Sequence, residues 1–72
     1  MTPLKIAVIG VGALGRHHAR ILSELDSVQL VAVAEPNAAI GRSVAESCGC
    51  AHVEDFHDLL DNIEAVTIAA PT

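Results

Sequence analysis

Three glycines, Gly10, Gly12 and Gly15, stand at the spacing G-x-G-x-x-G inside VIGVGALGRHHARIL. One acid, Glu35, closes the run VQLVAVAE about 20 residues further on. Glycine weakens both strands and helices, so three of them in an apolar run need a reason. At this spacing the first permits a tight turn, the second lets a pyrophosphate come close to the backbone, and the third lets a helix pack on the preceding strand. Val11, Ala13 and Leu14 would contribute backbone only. A carboxylate at the distance of Glu35 accepts hydrogen bonds from ribose hydroxyls. The chemistry these residues suit is the grip on a dinucleotide.

That reading requires a strand before the glycines, a helix after them and a second strand ending at the acid. Residues 5–9 form a short β-branched run that reads as a buried strand. Leu14, His18, Ile21, Leu22 and Leu25 then mark one helical stripe, with Arg16 and Arg20 off it. Residues 28–35 read as the second strand. Asn37 is placed to cap a second helix with an apolar face of Ile40, Val44 and Cys48, and Gly49 to end it. Residues 50–53 make a short third strand. Asp55 caps a short helix with Phe56, Leu59 and Leu60 inward, and residues 64–72 hold a fourth strand stopped by Pro71. The alternation predicts an α/β fold, a Rossmann-type parallel sheet in order 3-2-1-4 with flanking helices and right-handed crossovers. Ile6, Val8, Leu30, Val31, Val33, Val66 and Ile68 are its expected core.

The 72 residues are 51% hydrophobic and 18% charged, which is globular rather than disordered. The net charge of −5 and the single aromatic, Phe56, argue against nucleic acid as a partner. Cys48 and Cys50 are too few and too close for a disulfide framework, and a reducing, cytoplasmic setting fits them better. No run approaches the roughly 20 apolar residues of a membrane span. Adjacent histidines on a helix point about 100° apart, so His17 and His18 cannot readily share an ion. No metal site is expected. Cys48 reads as a small packing hydrophobe, and Glu54, Asp55, Asp58, Asp61 and Glu64 read as a solvated face.

KIAVIGVGALGRHHARIL, VQLVAVAEPN, DFHDLL and EAVTIAAPT, in that order, resemble the start of the glucose–fructose oxidoreductase / inositol dehydrogenase / rhizopine-catabolism family. The likeness runs over essentially the whole chain. It implies a nicotinamide-dependent oxidoreductase acting on a sugar, cyclic polyol or sugar nucleotide. By that resemblance Gly10, Gly12, Ala13, Leu14 and Gly15 form the pyrophosphate loop, Glu35 holds the adenosine ribose, and Ala70, Pro71 and Thr72 line the dinucleotide. The family more often has aspartate where Glu35 stands. NAD is the expected cofactor rather than NADP, since no arginine follows Glu35 directly. The resemblance places the family's lysine and its substrate domain after Thr72. Residues 1–72 are therefore expected to be the N-terminal part of a dinucleotide-binding domain, inactive alone and without catalytic residues. The full-length protein is expected to be a homo-oligomer. The alternatives are an FAD-binding portion of a flavoprotein, a methyltransferase and, from a different class, a non-catalytic nucleotide-sensing module.

Overall fold

Ile6, Ala7 and Val8 are buried one after another, so both faces of their strand are covered, as an unbroken apolar run requires. The computed structural model describes residues 3–59 and 63–69. Its elements are β1 (Leu4–Ile9), α1 (Ala13–Ser23), β2 (Val28–Ala34), α2 (Ala38–Cys48), β3 (Ala51–Val53), a short 3-10 helix (Phe56–Leu59) and β4 (Ala65–Ile68). The strands pair in parallel in the order β3-β2-β1-β4, as the alternation predicts. The expected inward side chain of Leu60, the stop at Pro71 and the placements of Ala70 and Thr72 lie outside the described residues.

The sheet divides the core in two. Ile6, Val8, Leu30 and Val33 meet Val11 together with Ala19 of α1 and Val44 and Ala45 of α2 on one face. Ala7, Ala32 and Ala34 meet Leu59 of the 3-10 helix on the other. Right-handed crossovers give this arrangement: two steps in one direction across the sheet put α1 and α2 on the same side, and the return from β3 to β4 crosses the opposite side. The β1–β2 ladder pairs Ile6 with Leu30 and Ala7 with Ala32, skipping Val31. The skipped residue lets Leu30 and Val33 face the same side despite their odd spacing. Val31 itself is only half-buried against the second cluster.

The helix faces differ from the expected stripes. Leu14, Ile21 and Leu25 are exposed, and so is Ile40. Val44 is buried, and Leu22 and Cys48 pack against the same cluster, as the stripes expect; beside them the sides turned to the sheet carry small residues, Gly15 and Ala19 in α1 and Gly41 and Ala45 in α2. Small side chains let a helix axis lie closer to the strands, and the large apolar residues then fall beside the contact. Val66 and Ile68 are also exposed, against expectation. They pair with Ala7 and Ile9, so they face the side that, among the described residues, the 3-10 helix covers, on a strand with one described neighbour. Phe56 lies at the surface rather than inside.

The caps fall where the sequence places them. The Asn37 side chain accepts the Ile40 N–H at 3.2 Å. Gly49 ends α2 at φ 69°, a left-handed conformation that side chains disfavour. Asp55 accepts the His57 N–H at 3.0 Å at the head of the 3-10 helix. Truncating the fully buried Val8 to alanine should cost about 2–3 kcal/mol, read by urea unfolding; a loss below about 0.5 kcal/mol contradicts the two-faced burial of β1.

Cys48 and Cys50, both free and half-buried, flank Gly49 against the helix-side cluster. Burial, and next the neighbouring Cys48, push the Cys50 thiol from the ordinary 9.0 up to about 11. The fold therefore favours the neutral thiol. That contribution is complete below pH 9.0 and is lost as pH rises through about 11. Stability should fall across this alkaline window, and thiolate absorbance of a Cys48→Ser variant should show Cys50 ionising well above 9.0 until the protein is denatured. An ordinary native midpoint contradicts the burial.

Candidate functional site

The glycine loop begins where β1 ends. Gly10 turns the chain at φ 83°, a value suited to glycine alone, and its N–H donates to the Ala34 carbonyl at 2.8 Å. The Val11 side chain is fully buried and anchors the loop in the core. Gly12 is the N-cap of α1, with extended backbone, and the Arg16 N–H donates to its carbonyl at 2.9 Å. No side chain caps this helix and no acid stands in its first turn, so the positive end of its dipole is left uncompensated. Nothing lies within 4 Å of the place a Cβ on Gly12 would take. A Cβ on Gly15, by contrast, would overlap the carbonyl oxygen of Gly10. Gly15 thus permits the close approach of α1 to the loop, while Gly12 keeps the space above the loop open.

Glu35 follows β2 and faces this loop. Its carboxylate accepts the Val11 N–H at 3.0 Å through one oxygen and the Asn37 N–H at 3.0 Å through the other. Its own N–H donates to the Val53 carbonyl at 2.9 Å, and its carbonyl lies 3.0 Å from His52 Nε2. Main chain and side chain are both fixed. The sequence places this carboxylate at a ribose; the structure also ties it to the phosphate loop, through the N–H of Val11. A carboxylate has about four acceptor positions, so two remain for vicinal hydroxyls.

A cavity of about 600 Å³ opens beside Glu35, lined by Gly10, Glu35, Pro36, Glu54, Asp55 and Phe56 with Ile9 and Ala34 beneath. Among the described residues that line it, three are carboxylates and none is lysine or arginine. Phe56 stacks on His57 with ring centroids 4.3 Å apart. The His57 N–H, and then its ring nitrogen 2.7 Å away, hold the Asp55 carboxyl below its ordinary range. Asp55 is exposed, as a solvated face requires, whereas Phe56, expected in the core, lines the cavity from the surface. The signal that places both beside the cavity is their position just past β3, at the strand-end edge where parallel sheets bind ligands.

The remaining candidates sort by position. Ala13 and Leu14 open α1, with the Leu14 side chain exposed. Beyond β4, the Ala69 N–H donates to the Ile9 carbonyl at 2.9 Å, which brings the chain beside the loop. The expected contacts of Ala70, Pro71 and Thr72 lie outside the described residues. His18 is half-buried, with its Nδ1 buried and unpartnered. Among the described residues no group of His, Cys, Asp and Glu could hold a metal ion. No described helix is long and apolar enough to cross a membrane. The connection from β1 runs to β2 on one side, and β4 lies on the other. The glycine loop thus sits at the strand-end crevice where the order reverses, the position at which open α/β sheets take nucleotides.

Known proteins share this sequence pattern and fold. An inositol 2-dehydrogenase from Rubrobacter xylanophilus is 38% identical over 71 residues, covering 94% of this chain and 20% of its own length. A UDP-N-acetylglucosamine 3-dehydrogenase from Acidithiobacillus ferrooxidans is 36% identical over the whole chain, and its crystal structure superposes with a TM-score of 0.88 over 23% of its length. A gentamicin A biosynthesis protein solved in complex with NAD is 27% identical, with a TM-score of 0.92, and this chain covers 21% of it. The chain spans about a fifth of the length of the curated relatives it matches. Residues 4–72 match the model of the oxidoreductase family with an NAD-binding Rossmann fold, the grouping of glucose–fructose oxidoreductase and inositol dehydrogenase, and the chain belongs to that family.

Proposed function

We propose that residues 1–72 are the N-terminal part of the dinucleotide-binding domain of an NAD-dependent dehydrogenase whose substrate is a sugar, cyclic polyol or sugar nucleotide. The observation that carries this is the Glu35 carboxylate 3.0 Å from the N–H of Val11, which joins a ribose acceptor to a phosphate loop at one sheet edge. The open space above Gly12 fits the group, since a Cβ there would intrude on nothing but a ligand. The nicotinamide, when bound, supplies the hydride acceptor or donor.

The chain's own residues bind and orient. The backbone N–H groups at the head of α1, from Gly12 through Gly15, face the pyrophosphate with the helix dipole behind them. Glu35 accepts the adenosine ribose hydroxyls with the oxygen positions its backbone partners leave free. Pro36 and Phe56 offer the adenine an apolar wall. Ala70, Pro71 and Thr72 line the dinucleotide past β4. Substrate contacts and the acid–base group belong, in this reading, to parts of the protein outside these 72 residues, as does the contact of a homo-oligomer. The two free thiols suit a reducing, cytoplasmic setting. The flavoprotein and nucleotide-sensing alternatives are not favoured by relatives that are sugar and inositol dehydrogenases.

Glu35, Glu54 and Asp55 together repel a 2′-phosphate, and no cation among the described cavity residues offsets them. NAD should bind about 10–100-fold more tightly than NADP, or about 1.4–2.8 kcal/mol. Titration of the protein carrying this chain with each dinucleotide checks this, and equal dissociation constants remove the role given to Glu35.

Gly12→Val should abolish dinucleotide binding and leave the helical circular-dichroism signal nearly intact, because the new side chain meets open space in the free protein. Calorimetric binding as strong as the parent's would show that this loop is not a phosphate cradle. Residues 1–72 alone should show no NAD reduction with any sugar or polyol, and measurable turnover would contradict the division of labour proposed here.

A further inference from the structure

Gly41 stands in the interior of α2, where alanine is better by about 1 kcal/mol, and no turn or positive φ calls for it. The structure supplies another reason. A Cβ on Gly41 would overlap Cδ2 and Nε2 of the His52 ring and lie 3.1 Å from Cε1. His52 points there because it pairs with Val33, whose face of the sheet is the one α2 covers. Its Nε2 is 3.0 Å from the carbonyl oxygen of Glu35. A carbonyl only accepts, so that nitrogen carries a proton and donates.

We infer that His52, seated against Gly41, is a positioning residue for cofactor binding: it fixes the Glu35 main chain so that the carboxylate holds both the phosphate loop and the ribose. The inference rests on the cofactor reading of Glu35 given above. The path is continuous. Gly41 admits the ring, and the ring holds the Glu35 carbonyl. The Glu35 carboxylate takes the N–H groups of Val11 and Asn37. Asn37 in turn caps α2 through the Ile40 N–H, on the helix that carries Gly41. The backbone bond from the Glu35 N–H to Val53 fixes one side of the residue, and His52 fixes the other. Without His52 the Glu35 carbonyl loses its partner, and the carboxylate loses part of its aim rather than its charge. NAD uses the carboxylate at the ribose and at the loop, whereas NADP uses it at the loop alone and is relieved of its repulsion, so the preference for NAD narrows.

The test uses the protein that carries this chain, with NAD and NADP titrated against parent, His52→Ala, His52→Gln and Gly41→Ala, and with melting temperatures for these and the double variant. His52→Ala should weaken NAD about 3- to 10-fold, the range of one lost hydrogen bond, and narrow the preference for NAD over NADP. His52→Gln keeps a side-chain amide donor and should restore most of the NAD affinity. Gly41→Ala, which displaces the ring, should weaken NAD as His52→Ala does. Gly41→Ala should lower the melting temperature in the parent and raise it in the His52→Ala background, where the helix gains from alanine and no ring is displaced. If His52→Ala does not fold, the NAD affinity and melting temperature of Gly41→Ala alone decide. Parent-like NAD binding by the folded variants, or a melting temperature that Gly41→Ala raises in the parent, overturns the role of His52. A parent that binds neither dinucleotide overturns the cofactor reading itself, and the melting-temperature reversal separates the two failures.

Discussion

The contact between the Glu35 carboxylate and the Val11 N–H joins two elements that the sequence keeps 24 residues apart. Each element alone is incomplete. The loop after β1 has turned at Gly10 and exposes its backbone, and a backbone donor turned inward would be orphaned without an acceptor. Glu35 is that acceptor. The acid directly follows a strand whose neighbour on one side is β1, so the pairing of Ile9 with Ala34 sets the distance between acid and loop. A slip in this ladder would part them. The bulge at Val31 belongs to the same constraint, since it brings the end of β2 into step with the end of β1.

A second constraint is the closeness of helix and sheet. Gly15 and Ala19 in α1 repeat as Gly41 and Ala45 in α2, four residues apart on the inward face. In each helix the glycine admits a group of the site. Gly15 lets α1 lie against the Gly10 carbonyl, and Gly41 lets the His52 ring reach Glu35. Packing and binding geometry therefore depend on the same small residues. The apolar side chains that the helices do not bury, Leu14, Ile21 and Ile40, lie outside these contacts.

The strand order, the turn at Gly10, the caps at Asn37 and Gly49 and the position of Glu35 were all legible in the sequence, because each depends on a local rule of residue type and spacing. The inward helix faces were legible only in part. Periodicity weighs large apolar residues; it found Val44, but much of the contact in α1 and α2 is made by glycine and alanine, which carry little hydrophobic signal. The exposure of Val66 and Ile68 was illegible for another reason: burial of a strand depends on what covers it, and among the described residues the 3-10 helix alone packs on that face. The tie from Glu35 to the loop, the seat of His52 and the surface position of Phe56 are tertiary facts. They join residues on separate elements, and no spacing along the chain announces them.

The central claim is that the loop from Gly10 to Gly15 and the carboxylate of Glu35 together receive a dinucleotide. Amide resonances of the isotope-labelled protein during NAD titration test it most directly, because the N–H groups in question report individually. The account predicts the largest shifts at Val11, Gly12, Ala13 and Leu14, with a second set at Glu35 and Asn37. Saturable shifts confined to another face, such as the exposed edge of β4, with the loop amides unmoved, would contradict it.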